Sequence, residues 1–119
     1  MVGSEGTLGF VAEATFNTVP LHKHAATTLL VFETLAQATD ALVDIVATEP
    51  ATVELMDAAS LRAALIDPES RDALPSFDIV NHCALLVEYQ SATSERLAEL
   101  AQRARRLFDS LTLAVTPEL

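Results

Sequence analysis

The chain has 119 residues, half of them hydrophobic, and its 17 acidic and 7 basic side chains give a formal net charge of −10. This length suits one domain with a real hydrophobic core, and the acidic balance argues against a nucleic-acid binder or a protein that docks on anionic lipid. The single cysteine, Cys83, has apolar neighbours that predict a buried, inert thiol rather than a nucleophile. No apolar run is long enough to span a bilayer and no signal-peptide pattern is present, so a cytoplasmic location is expected.

All three glycines of the chain, Gly3, Gly6 and Gly9, lie in its first nine residues at a three-residue spacing. Glycine tolerates positive φ and lets another group approach the backbone closely. On spacing alone two interpretations stay open: a tight turn, or a loop whose exposed amides receive an anion or a cofactor. The loop lacks the lysine of a phosphate-binding P-loop, and a strand pattern rather than a helix follows it, which excludes a Rossmann fingerprint. Because so constrained a loop lies at the N-terminus, we expect the sequence to be a piece of a longer protein.

Hydrophobic periodicity predicts five strands and three helices after this loop. The predicted strands are Phe10–Val19, Thr27–Phe32, Thr52–Met56, Ala84–Gln90 and Thr112–Thr116. The predicted helices are Leu35–Thr48 with a capping box at Thr34 and Gln37, about two turns around Leu61–Leu65 after an Asp57 cap, and a long helix after Thr93 or Ser94. The charged, proline-containing stretch from Asp67 to Asp78 is predicted to be a surface loop.

From residue 25 onward the order of elements is strand, helix, strand, an excursion, then strand, helix, strand. This order predicts an α+β fold with a ferredoxin-like split βαβ arrangement, in which two principal helices cover one face of a four-stranded antiparallel sheet. The strand Phe10–Val19 has no partner in that pattern, so it is assigned to a preceding domain. Pro20 ends this strand, and the connector Leu21–His24 is the candidate domain boundary.

The N-terminal residues resemble those of a known family. The run Gly3-Ser4-Glu5-Gly6-Thr7-Leu8-Gly9, followed by Val11, Glu13-Ala14-Thr15 and Val19-Pro20-Leu21, resembles the FAD-linked oxidase family. That family belongs to the vanillyl-alcohol-oxidase superfamily and includes glycolate oxidase subunits, D-lactate dehydrogenases and D-2-hydroxyacid dehydrogenases. The resemblance implies that residues 1–21 form the C-terminal edge of an FAD-binding domain and that residues 22–119 form part of a ferredoxin-like cap domain.

The resemblance also implies FAD as the cofactor and a set of residues that line it, largely through backbone groups. These residues are Glu5, Gly6, Thr7, Leu8, Gly9, Phe10 and Val11. Two positions depart from the family pattern, since Phe10 stands where the family usually has Ile or Val and Ala12 stands where it usually has Thr.

The activity implied by the resemblance is the oxidation of a small D-2-hydroxy acid of the lactate, glycolate or 2-hydroxyglutarate type. The flavin would pass the electrons to a quinone, a carrier protein or oxygen. The family's substrate-binding arginine and metal-binding histidines correspond to positions beyond Leu119, so no catalytic residue and no metal ligand is assigned. We expect the 119 residues alone to fold without holding FAD tightly.

Other chemistry-bearing residues favour structural roles. His22 and His24 form a His-x-His pair without a third ligand in view, which favours a solvated linker. Adjacent residues of a strand point to opposite faces, so His82 and Cys83 are not expected to act as a nucleophile and its base. The carboxylates between Asp67 and Asp78 are interpreted as a solvated loop, and the arginines near the end of the last helix as complements of its dipole.

An alternative function from another class also fits the sequence. A stand-alone ferredoxin-like module could bind a small ligand or dimerise without catalysis, and a sheet face left without a partner domain would favour self-association. Coding sequence upstream of Met1 would favour the oxidase hypothesis, and its absence would favour the binding module.

Overall fold

The structure, a computed structural model, describes residues 2–71, 74, 77–117 and 119. Within these described residues, three strands and four helices form an α+β domain after an N-terminal segment, residues 2–23. In chain order they are β1 (His24–Phe32), α1 (Leu35–Val46), β2 (Thr52–Met56), α2 (Ala58–Ile66), α3 (Pro68–Arg71), β3 (Cys83–Ser91) and α4 (Ser94–Phe108).

The sheet has the order β1-β3-β2 with antiparallel pairs throughout. The central strand β3 is the most continuously apolar of the three, as expected for a strand with neighbours on both edges. Leu85 of β3 lies opposite both Leu30 of β1 and Leu55 of β2, which fixes one register across the sheet. Side chains therefore alternate between two faces, the inner face that α1 and α4 cover and the outer face.

The main core lies between the inner face and the helices α1 and α4. Its fully buried members include Leu30, Ile45, Val87 and Tyr89, each 0% exposed. At roughly 25 cal/mol per Å² of apolar surface removed from water, each of these side chains contributes about 1.5–3 kcal/mol. The predicted principal helices on one face of the sheet are thus confirmed.

Local signals fix the ends of these helices. The Thr34 side chain accepts from the Gln37 N–H at 3.3 Å while the Gln37 side chain accepts from the Thr34 N–H at 3.1 Å, which is the predicted capping box. Thr93 caps α4 through one such bond, in which its side chain accepts from the Arg96 N–H at 3.3 Å. The turn after α1 places Glu49 at φ +67°, and its carboxylate binds Arg96 of α4 at 3.0 Å.

The helix α2, which the sequence placed only in the excursion between the two halves of the pattern, lies on the outer face rather than beside α1 and α4. Leu61 is fully buried there against Val31 of β1 and Ala84 of β3. The physical reason is that side chains along a strand alternate between the two faces. At this end, β1 and β3 have small apolar side chains on the outer face, and α2 covers them. Asp57 caps α2 as predicted, and its hydrogen bonds with Ser60 lower the pKa of that carboxyl.

Two predicted strands are not strands in the structure. Phe10–Val19 is exposed along its whole length and pairs with no described residue, because a strand needs a neighbouring edge and a surface for its apolar face. Thr112–Thr116 is irregular, although the Ala114 N–H donates to the Val31 carbonyl at 2.8 Å on the free edge of β1. The described sheet therefore has three strands rather than four.

The predicted surface loop between Asp67 and Asp78 needs a smaller correction. Its first residues form the single helical turn α3, which Asp67 starts by accepting hydrogen bonds from Ser70. Residues 72, 73, 75 and 76 of that prediction lie outside the described residues.

Candidate cofactor-contacting loop

The predicted site residues Glu5–Val11 form a continuous exposed stretch at the start of the chain. Its first part is a turn in which the Thr7 N–H donates to the Ser4 carbonyl at 2.9 Å and the Thr7 hydroxyl donates to the same oxygen at 2.7 Å. These two hydrogen bonds to the Ser4 carbonyl stabilise the turn through local contacts alone. The structure does not bring the loop against the sheet.

The glycines of the loop are required by backbone conformation. Gly3, Gly6 and Gly9 have φ values of +81°, +85° and +143°, and Glu5 between them also has a positive φ of +48°. Side chains with a Cβ rarely adopt such values. A Cβ built on Gly3 or Gly6 would meet nothing within 4 Å, so steric crowding within the described chain does not explain these two glycines.

The residues after the turn expose large apolar side chains. Leu8, Phe10 and Val11 are 74%, 86% and 64% exposed, and Phe16, Val19 and Leu21 continue the series. Contiguous exposed apolar side chains are uncommon on monomeric soluble proteins, where they often mark binding surfaces. The loop thus combines unusual backbone conformation with an adjoining apolar surface, which suits close approach by a flat, partly apolar group.

The histidines and the cysteine behave as structural groups. Cys83 is buried on the inner face, and desolvation raises the pKa of its thiol, so the reactive thiolate is disfavoured. His82 does not pair with Cys83; its Nε2 lies 3.3 Å from Oε2 of Glu33. His22 is exposed and His24 begins β1, and no group of three potential metal ligands occurs among the described residues.

Sequence reasoning missed two polar networks that join distant segments. On the outer face, the Glu88 carboxylate accepts from the Thr27 hydroxyl at 3.2 Å and from the Gln90 amide. In the core, Tyr89 and Thr48 share a hydrogen bond of 2.5 Å, and burial raises the pKa of the tyrosine hydroxyl. The sequence around each of these residues does not predict either network. The partners Thr27 and Glu88 meet through the sheet register, and Thr48 reaches Tyr89 through the turn after α1.

The structure also bears on membrane insertion. No helix within residues 2–71, 74, 77–117 and 119 combines the length and the apolar character needed to cross a bilayer.

Comparisons with known proteins agree with the resemblance. The profile of the family "FAD linked oxidases, C-terminal domain" matches residues 21–117, which is most of the chain. The chain is 38% identical over 77 residues to the glycolate oxidase subunit GlcD of Bacillus subtilis (strain 168). The aligned part is 63% of this chain but only 16% of GlcD, so the chain spans a small part of the relative's length. The match over residues 21–117 shows that the chain belongs to the FAD-linked oxidases, a family of flavoprotein oxidoreductases whose cofactor is FAD.

Proposed function

We propose that the protein carrying this chain oxidises a small D-2-hydroxy acid with FAD as the electron acceptor. The observation that carries the proposal is the 38% identity with a protein named as a glycolate oxidase subunit, since glycolate is the simplest 2-hydroxy acid. When bound, FAD supplies the redox chemistry by accepting the electrons of the substrate. The electrons then pass to a quinone, a carrier protein or oxygen.

The described loop fits a role in holding the flavin. We assign Glu5, Gly6, Thr7, Leu8, Gly9, Phe10 and Val11 to the FAD-lining surface. The support comes from the positive φ values of the loop, the open space around Gly3 and Gly6, and the exposed apolar side chains that follow. These residues would present backbone groups and an apolar wall to the cofactor.

The proposed domain division places residues 1–21 at the end of the FAD-binding domain and residues 22–119 in the cap domain. The start of the family match at residue 21 and the start of β1 at His24 support this division. A ferredoxin-like cap would need a fourth strand beside β1. The hydrogen bond from the Ala114 N–H to the Val31 carbonyl, at the edge of β1, supports this proposal.

The 119 residues alone are proposed to bind FAD weakly and to lack turnover, because one exposed loop provides only part of a cofactor site. Their exposed apolar segment would favour self-association. Light scattering on the chain with and without residues 1–21 measures this association.

The substrate proposal is tested on the protein that carries the chain, purified with its flavin. Glycolate, D-lactate, D-2-hydroxyglutarate and, as a control, L-lactate are added without oxygen, and the visible flavin absorbance is followed. We expect one of the first three acids to bleach the flavin and L-lactate to have little effect. A flavin that is present and that none of the 2-hydroxy acids reduces would refute the substrate class.

The loop assignment is tested separately with Gly6→Val. A β-branched residue at φ +85° costs about 1–2 kcal/mol, so we expect FAD affinity to fall about tenfold. Ala12→Val, in the exposed irregular stretch just beyond the loop, is the matched control and should retain the flavin. Equal FAD affinity in Gly6→Val and in the unmodified protein would remove the loop from the site.

A further inference from the structure

Residues 77–82, which we name the strap, cross one end of the outer face. Phe77 and Ile79 pack against the outer cluster of Val31, Leu61 and Ala84. The strap therefore helps α2 to cover the apolar end of this face, immediately before the central strand β3 begins.

Side chains bind the backbone of the strap. Arg62 of α2 donates from Nη1 to the carbonyls of Ile79 and Val80 at 3.4 and 3.2 Å. The Val80 N–H donates to Nδ1 of His82 at 3.2 Å. The backbone of the strap is thus held by one guanidinium, which stays charged, and by one imidazole, which can take up a proton.

The contacts of His82 define one tautomer. Nδ1 can accept from the Val80 N–H only if it carries no proton, so the neutral ring has its proton on Nε2. Nε2 lies 3.3 Å from Oε2 of Glu33, so the ring contacts this carboxylate through its other nitrogen. The ring is held further by the edge-to-face contact with Phe77, at a centroid distance of 5.2 Å, and its side chain is 13% exposed.

We propose that His82 is a proton-sensitive latch of the strap. When the ring takes a proton from solvent, Nδ1 becomes a donor and faces the Val80 N–H, so this hydrogen bond is lost. Nε2 keeps its proton, and its contact with Glu33 becomes an ion pair. The ring therefore stays beside β1 while the Val80 end of the strap is released, and Arg62 remains as its second attachment.

The charged and titratable groups on the elements around the His82 ring include acids, a base and a thiol. They are Glu33 after β1, Asp57 and Arg62 at α2, Asp78 in the strap and Cys83 at the start of β3. Among them, Glu33 is the group whose carboxylate contacts the ring, with Oε2 3.3 Å from Nε2.

The test is an NMR titration of the full 119-residue chain from about pH 8 to about pH 5, the range in which histidines titrate. At the upper end, the ¹⁵N shifts of His82 should show a bare Nδ1 and a protonated Nε2. The protection of the Val80 amide, corrected for intrinsic exchange, should fall about fivefold on loss of one hydrogen bond, with the midpoint of the His82 ring. The Ala51 amide, bound to the Glu88 carbonyl at 2.7 Å, is the control and should stay constant.

Two variants sharpen the test. Glu33→Gln removes the carboxylate that favours the protonated ring, so release should move to lower pH. His82→Gln offers an acceptor that does not titrate, so protection of Val80 should become independent of pH. A proton on Nδ1 at pH 8, constant Val80 protection while His82 titrates, or an unmoved midpoint in Glu33→Gln would each overturn the latch. The ring-nitrogen shifts of the unmodified chain decide the matter even if His82→Gln does not fold.

Discussion

Two stretches of this chain have similar strand patterns in their sequences, but only one of them forms a buried strand. In Phe10–Val19, apolar and polar side chains alternate, yet Phe16 is 83% exposed and the stretch pairs with no described strand. In β1, Phe32 is 2% exposed, and nine consecutive residues pair with β3. The difference shows that a strand pattern needs a hydrogen-bonding edge and a packing surface, and β3 and the helices supply both to β1 but not to the described residues of Phe10–Val19.

Deleting one phenylalanine ring from each stretch tests this difference most directly. Phe32→Ala should lower the free energy of unfolding by about 3–5 kcal/mol, because it leaves a cavity in the main core. Phe16→Ala should change it by less than about 0.5 kcal/mol, as for other exposed positions. Urea denaturation of the 119-residue chain, followed by circular dichroism, measures both. An equally large loss in Phe16→Ala would mean that the N-terminal segment packs on the domain in solution.

The features that could be predicted from the sequence are those determined by neighbouring residues. The capping box at Thr34 and Gln37, the Asp57 cap and the bounds of β2 agree with the structure to the residue. β1 and β3 were predicted too short, because polar or small residues at their ends still pair across the sheet. Local hydrogen bonds and side-chain periodicity carry this information, so no distant partner had to be known.

The features that could not be predicted depend on distant partners. The outer position of α2 follows from which face of Val31 and Ala84 lacks cover, and its own short apolar pattern does not encode that choice. The contact of His82 with Glu33 joins residues far apart in the chain. The FAD-lining loop came from the residue string of a family, since its spacing alone fitted a tight turn equally well, and its role stays a prediction.

A second prediction concerns a polar group that only the folded domain buries. The pKa of Tyr89 is raised by desolvation above its ordinary value of 10.0, so the unfolded chain releases this proton at lower pH than the folded one. The corresponding stability is present below about pH 10 and is lost as pH rises through the folded pKa. Cys83 acts in the same direction above its ordinary value of 9.0.

Tyr89→Phe isolates the tyrosine contribution. At neutral pH it removes the hydrogen bond with Thr48 and should cost about 1 kcal/mol. Above about pH 10 its stability should fall less steeply than that of the unmodified chain, because one ionisation of the unfolded state is gone. Denaturation midpoints from pH 7 to pH 11 test both statements, and parallel pH curves for the two proteins would show that Tyr89 is not shielded from solvent in the folded state.

The smallest expected change in the free energy of unfolding is a stabilisation, and it is tested on two threonines. Thr28 in β1 is 3% exposed, and its hydroxyl has no hydrogen-bond partner within the described residues, whereas Thr15 in the N-terminal stretch is exposed. Thr28→Val keeps the shape and the β-branching and removes a buried hydroxyl, so it should raise the free energy of unfolding by up to about 1 kcal/mol. Thr15→Val should leave it unchanged.

Denaturation midpoints of the two threonine variants supply the measurement. A destabilised Thr28→Val would show that the hydroxyl has a partner in solution, such as a buried water, and a stabilised Thr15→Val would show that the N-terminal stretch is covered in solution. The sign of the effect therefore depends on burial rather than on residue type. A threonine hydroxyl leaves the free energy of unfolding unchanged in an unpaired, exposed stretch and lowers it in a strand that the sheet and helices bury. The same difference in burial distinguishes Phe10–Val19 from β1.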